Sequence, residues 1–158
     1  MIYSKTCEYA IRALLFVATQ PKGEFVLTHV VSKETGVPLP YLAKIFRDLA
    51  HHKILLSRRG AAGGVALALA PAEISIKKIV DVIDDPVHFK ACVMGLDQCS
   101  DKNACPLHAV WTAARQKIIV EMQKCNLATI TKKVGKSTYR KTKRGRLSPH
   151  LYLSSTGD

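Results

Sequence analysis

Residues 28–67 constrain the fold of this chain more than any other stretch. After Thr28, from 29 to 35, the sequence reads as a short helix that Gly36 stops. "GVPLP" then makes a tight turn, and Pro40 suits the first turn of the next helix, where its missing N–H is not needed. In that helix, "YLAKIFRDLAHH", Leu42, Ile45, Phe46 and Leu49 fall on one face, and Lys44, Arg47 and Asp48 lie largely elsewhere. Two short helices joined by a turn of Gly and Pro make a helix-turn-helix. "ILLSRRGAAGGVALALA" follows at once, two apolar runs around a loop of Gly and Ala, which is the pattern of a β-hairpin. Arg58 and Arg59 stand at its mouth. A basic hairpin placed directly after a helix-turn-helix is the wing of a winged helix.

The flanking sequence fits this frame. Ala10, Ile11, Leu14, Leu15, Val17 and Ala18 recur at helical spacing over residues 6–19, with Ser4 or Thr6 as the cap and Pro21 and Gly23 as the stop. After the wing, Pro71 closes the hairpin and Ser75 caps a short helix over 76–84. Pro86 opens a polar loop. A long helix is expected from about 106 to 125, striped by Leu107, Trp111, Ala114, Ile118, Met122 and Cys125. A single apolar stripe on a late, long helix in a small protein seals a homodimer. "NLATITKKVG" reads as one more short helix. The rest is polar, basic and without period, and reads as disordered. The expected fold is mostly α: a winged helix-turn-helix with a small β-hairpin wing and a long dimerisation helix. Its parts are a DNA-binding domain (1–85), a cysteine-rich loop (86–105), a dimerisation region (106–130) and a basic tail (131–158).

A recognition helix offers its first turns to base edges in the major groove. Here those positions are Pro38, Pro40, Tyr41 and Lys44. Tyr41 and Lys44 donate hydrogen bonds, and the prolines pack. Arg47 and Lys53 are placed for phosphates. Arg58 and Arg59 belong to the wing, where a guanidinium suits a narrow minor groove. The partner these residues imply is double-stranded DNA. Net charge alone is a weaker guide. It is +12, but residues 131–158 contribute +7 of it, so most of the excess lies in the tail rather than on the winged helix.

The second concentrated signal is "ACVMGLDQCSDKNACPLHAVW". Cys92, Cys99 and Cys105 are spaced C-x6-C-x5-C, and His108 follows with two residues between. Three thiols on one polar loop are the raw material of a metal or iron–sulfur site. Structural zinc sites use tighter C-x2–4-C knuckles, so the wide spacing favours a cluster over zinc. Three thiols leave one ligand place, for which His108 and Glu8, the latter from the dimer partner, are the candidates. Cys7 and Cys125 lie on apolar helices and read as small buried hydrophobes.

The first 18 residues carry an apolar run, but Glu8 and Arg12 interrupt it and no small-residue cleavage site follows. No stretch approaches the ~20 apolar residues of a membrane span. The expected setting is the cytoplasm, where thiols stay reduced. Five cysteines, an odd number, do not make a complete disulfide framework. No Ser/His/Asp pattern, phosphate loop or credible carboxylate pair suggests an enzyme.

In these residues the chain resembles the Rrf-type winged-helix regulators, the group that includes IscR, NsrR and RirA. The resemblance covers about residues 1–130. It rests on "SKTCEYAIRALLFVA", "GVPLPYLAKIFRDLAHHKIL", "SRRGAAGGVAL", "ISIKKIVDVID" and the cysteine loop with "CPLHAVW". It implies a homodimer paired through long helices, an iron–sulfur cluster on the three cysteines, and operator binding that changes with cluster state. In the IscR-like pattern a histidine at the place of His108 completes a 2Fe–2S site. In the NsrR-like pattern an acidic residue at the place of Glu8 completes a 4Fe–4S site. The chain departs in two places: its first cysteine gap is one residue longer than the IscR-like spacing, and Ala43 stands where IscR has a glutamate. Two other readings stay open, a cluster-free thiol-redox regulator and a zinc-stapled DNA-binding protein.

Overall fold

The computed structural model describes residues 3–60, 63–84, 91–97 and 99–134. Helix α1 spans Lys5–Ala18, and Ser4 is its cap: the hydroxyl accepts the N–H of Cys7. Helix α2 spans Thr28–Thr35 and ends on Gly36 at φ 68°, a left-handed position that glycine occupies without steric cost. Helix α3 spans Leu39–His51, with Pro40 in its first turn as expected. Its inner face is Leu42, Ile45, Phe46 and Leu49, all buried. Each such side chain contributes about 1.5–3 kcal/mol of transfer free energy. That face packs on Leu14 and Ala10 of α1 and on Val31 of α2 within one continuous core.

The wing is an antiparallel pair, β1 (Leu55–Arg58) and β2 (Gly64–Leu67), in the register Leu55 opposite Leu67 and Arg58 opposite Gly64. Val26 adds a short third rung through reciprocal bonds with Val65, both 2.9 Å. Gly64 sits at φ 126°, and a Cβ there would lie 2.3 Å from the Val26 carbonyl oxygen. The glycine is therefore required by strand packing inside the protein. A 3₁₀ turn at Pro71–Glu73, which the sequence pattern did not announce, leads into α4 (Ile76–Ile83), capped by Ser75. Helix α5 spans His108–Lys124 and α6 spans Leu127–Val134. Leu127 is fully buried and returns the chain to the core.

The fold is mostly helical with a two-stranded hairpin, as the sequence pattern implies. Helix α5 is long but has no buried residue. Ile119, Met122 and Cys125 at its far end pack against the core, whereas Val110 and Leu107 at its start are exposed. The tail expected to be disordered lies, from residue 135 on, outside the described residues. No described helix is long and apolar enough to cross a membrane.

Candidate functional site

Two surfaces carry the residues singled out by sequence. The first is the outer face of α3 with the wing. Pro38, Pro40, Tyr41, Lys44 and Arg47 are all exposed, as are Arg58 and Arg59. The burial of the opposite α3 face forces this: the helix has one side for the core and one for solvent. Tyr41 is steadied by an edge-to-face contact with Tyr9 (centroids 5.6 Å apart), and Arg58 stacks over Phe25 at 4.2 Å. Arg47 leans toward Asp48 at 3.7 Å, a loose exposed pair. Lys53 closes the turn from α3 into β1 with φ 57°, an uncommon conformation for a side chain of its size. Tyr9 and Phe25 were not among the residues chosen from sequence. They are apolar neighbours from other elements, which no local pattern reveals.

The second surface is the cysteine loop. The sulfur atoms of Cys92, Cys99 and Cys105 all lie within 4.8 Å of one another. Cys92 and Cys105 approach to 3.7 Å. His108, the first residue of α5, brings Nδ1 to 3.2 Å from Cys99 Sγ, and its Nε2 meets Asp101 Oδ1 at 2.9 Å. The backbone builds this gathering. A turn closed by Ser100 N–H to Asn103 carbonyl (3.2 Å) and Asn103 N–H to Ser100 carbonyl (3.0 Å) folds Cys105 back toward Cys99. Trp111, one turn into α5, donates its indole N–H to the Ala91 carbonyl at 3.0 Å and pins the loop beside Cys92. A cavity of about 30 Å³ remains between the three sulfurs, His108, Trp111 and Arg115.

The thiols are not equivalent. Backbone N–H groups of Leu96 and then Met94 point at Cys92 and bring it down to about 7. For Cys99 the Cys105 backbone N–H lowers the value, but desolvation and the sulfurs of Cys105 and Cys92 outweigh it and raise it. Burial, with the charge of Asp84 second, pushes Cys7 up to about 12. Cys7 is fully buried, which fits its reading as a core residue; Cys125 is half-buried on the rim of the core.

Glu8 stands apart from this group within one chain. It is engaged by Lys5 at 2.6 Å and by Arg12 at 2.7 Å. Arg12 is itself 3% exposed, and its Nε has no partner among the described residues. Removing Glu8 would take the charged partner from a buried guanidinium and leave it the Thr35 carbonyl at 3.4 Å, which should destabilise the fold. Three thiols and an imidazole nitrogen are soft donors of the kind that hold zinc or iron–sulfur clusters, so the residues present fit either group. Asp101 and Trp111 were missed by sequence reasoning as members of this site. Asp101 sits in a Ser-Asp-x-Asn run of turn composition, and Trp111 follows His108 by three residues, on the same side of the helix.

Comparison with known proteins places the chain in a family and matches its fold. The family described as Rrf2, iron-dependent transcriptional regulator, matches residues 3–133. The HTH-type transcriptional regulator IscR of Aliivibrio salmonicida is 30% identical over 110 residues, covering 70% of this chain and 65% of that protein. The solved structure of T. potens IscR superposes with a TM-score of 0.65 at 20% identity, covering 94% of each chain. That of CymR, the global cysteine regulator of B. subtilis, gives 0.66 at 19% identity over 82% of this chain and 95% of the other. At these identities the two structures establish the shared fold.

Proposed function

The chain belongs to the Rrf2 family of transcriptional regulators, and from that premise we propose that it is a homodimeric repressor whose grip on operator DNA is switched by an iron–sulfur cluster. Members of the family are regulators and not enzymes, and this chain has their DNA-binding winged helix. Two copies pair along α5 and offer two α3 helices to successive major grooves, about 34 Å apart. Pro38, Pro40, Tyr41 and Lys44 face base edges. Arg47, Arg58 and Arg59 take phosphates and the minor groove. The protein acts in the cytoplasm.

Cys92, Cys99 and Cys105 hold the cluster, 2Fe–2S or 4Fe–4S. His108 is the fourth ligand, or in its place Glu8 of the partner subunit. When bound, the cluster supplies a centre sensitive to redox state, nitric oxide or iron supply. The cysteines, tied to one centre, hold the loop against the base of α5. Once released, they no longer brace it, and the relative tilt of the two recognition helices shifts toward another state. The observation that carries this reading is the meeting of three sulfurs, one of them in contact with His108 Nδ1, beside a winged helix.

The test is DNA selected from a random pool, measured with cluster-loaded and cluster-free protein. A change in affinity between the forms supports the reading. Equal affinity for the same DNA overturns the switch. The 3.7 Å approach of Cys92 and Cys105 favours one second reading, a cluster-free regulator that forms disulfides. Full DNA control by iron-free protein, reversed by reductant, would decide for it. Zinc without sulfide would decide instead for a zinc-stapled protein.

A further inference from the structure

We propose that Asp101 is a positioning residue, which holds His108 so that Nδ1, and not Nε2, is offered to whatever the three thiols bind. The inference rests on the reading of Cys92, Cys99, Cys105 and His108 as a metal or cluster site.

Asp101 Oδ1 lies 2.9 Å from His108 Nε2. A carboxylate accepts and does not donate, so Nε2 carries the hydrogen. In a neutral imidazole the other nitrogen is then bare, and Nδ1 points at Cys99 Sγ from 3.2 Å. One nitrogen is tied outward and the other is aimed into the site. The ring is also held by its backbone, since the His108 N–H donates to the Cys105 carbonyl at 3.0 Å.

The carboxylate is not placed by chance of a floppy loop. Asp101 and Lys102 form the tip of the turn that Ser100 and Asn103 close from both sides. The Asp101 side chain is 96% exposed, whereas that of His108 is 20% exposed. So exposed a carboxylate adds little to folding, and its consequence is the orientation of the ring. A ligating histidine whose second nitrogen meets a carboxylate has its tautomer and ring orientation fixed. Losing such a partner costs 10–100-fold in metal affinity as a rule.

Zinc(II) is the probe, added to the reduced full chain under anaerobic conditions. It is diamagnetic, so long-range proton–nitrogen correlation of the histidine rings reports which nitrogen binds. His108→Ala assigns the signal. The expected wild-type pattern is Nε2–H with zinc on Nδ1. Asp101→Ala should weaken zinc about 10–100-fold in chelator competition and lose the single tautomer. Asp101→Asn keeps an accepting oxygen and should retain the Nδ1 pattern at intermediate affinity. Lys102→Ala, in the same turn, should change neither quantity.

Zinc on Nε2 in the wild type would overturn the inference, as would wild-type tautomer and affinity in Asp101→Ala. If His108→Ala binds zinc through protected thiols with unchanged affinity, the inference falls and the thiol site stands. If the wild type binds no zinc, the inference about Nδ1 falls, and iron and sulfide analysis alone decides the cluster reading.

Discussion

Asp84, the last described residue before the cysteine loop, accepts the backbone N–H of Ser4 at 2.7 Å on one carboxylate oxygen and the Ser4 hydroxyl on the other. The same hydroxyl accepts the N–H of Cys7 and caps α1. A continuous run of hydrogen bonds thus joins the end of α4 to the first turn of α1. Asp84 is buried, and its charge lies at the positive end of a helix dipole. Asp84→Ala leaves two part-buried donors of Ser4 without this acceptor and should cost about 1–3 kcal/mol in urea unfolding. Asp84→Asn keeps one acceptor and should cost less. An unchanged midpoint in Asp84→Ala would show that the clasp does not bear on stability.

The outer face of α3 separates two kinds of DNA contact. Arg47→Ala should weaken binding about equally on preferred and random DNA and reduce the salt slope by about 1, the signature of one lost phosphate contact. Lys44→Ala should cost about 1–3 kcal/mol on the preferred site and far less on random DNA. Binding isotherms at several salt concentrations check both. Equal losses on both DNAs for Lys44→Ala would remove it from base readout.

Helix α5 leaves an apolar surface open in the single chain, where Ile76, Ile118, Met122 and Cys125 line a shallow hollow. Ile118→Glu should convert a dimer to a monomer in sedimentation equilibrium and weaken operator binding with it, since two half-sites no longer act together. A dimer of unchanged mass would place the interface elsewhere.

Cys7 gives a pH prediction. Its thiol is raised from an ordinary 9.0 to about 12 in the fold, chiefly by burial. The folded chain therefore holds that proton more tightly than the unfolded chain does. The resulting stability is fully present below about pH 9 and is lost as pH rises from there toward about 12. Cys7→Ala should be less stable than the wild type at neutral pH, because it opens a small cavity, but the gap should narrow as pH rises from 8 to 10. Urea midpoints of both proteins at these pH values check it. A constant gap would mean the thiol does not titrate with folding.

The winged helix was legible because its signals are local and agree with one another. Gly36, Pro40 and the spacing of Leu42, Ile45, Phe46 and Leu49 each point to the same two helices. The cysteines were legible as a group from spacing alone, and the structure brings them together. Glu8 was legible only as an acid near the start of a helix; its pairing with buried Arg12, four residues on, shows only in three dimensions. Asp101 looked like one polar residue among several in its loop. What distinguishes it is a turn closed on both sides and a histidine seven residues away, and neither has a sequence period. Gly64 reads in the sequence only as one glycine of the hairpin loop; that Val26 occupies the space beside it shows only in three dimensions.

What the three thiols carry in the protein as the cell makes it separates a cluster-switched regulator from its alternatives. Anaerobic purification followed by iron, sulfide and zinc analysis with absorbance spectroscopy decides this. Iron with matching sulfide, lost from Cys99→Ala while its helical content is kept, is the predicted result. A wild-type protein that holds zinc without sulfide, or no metal after anaerobic reconstitution, would contradict it.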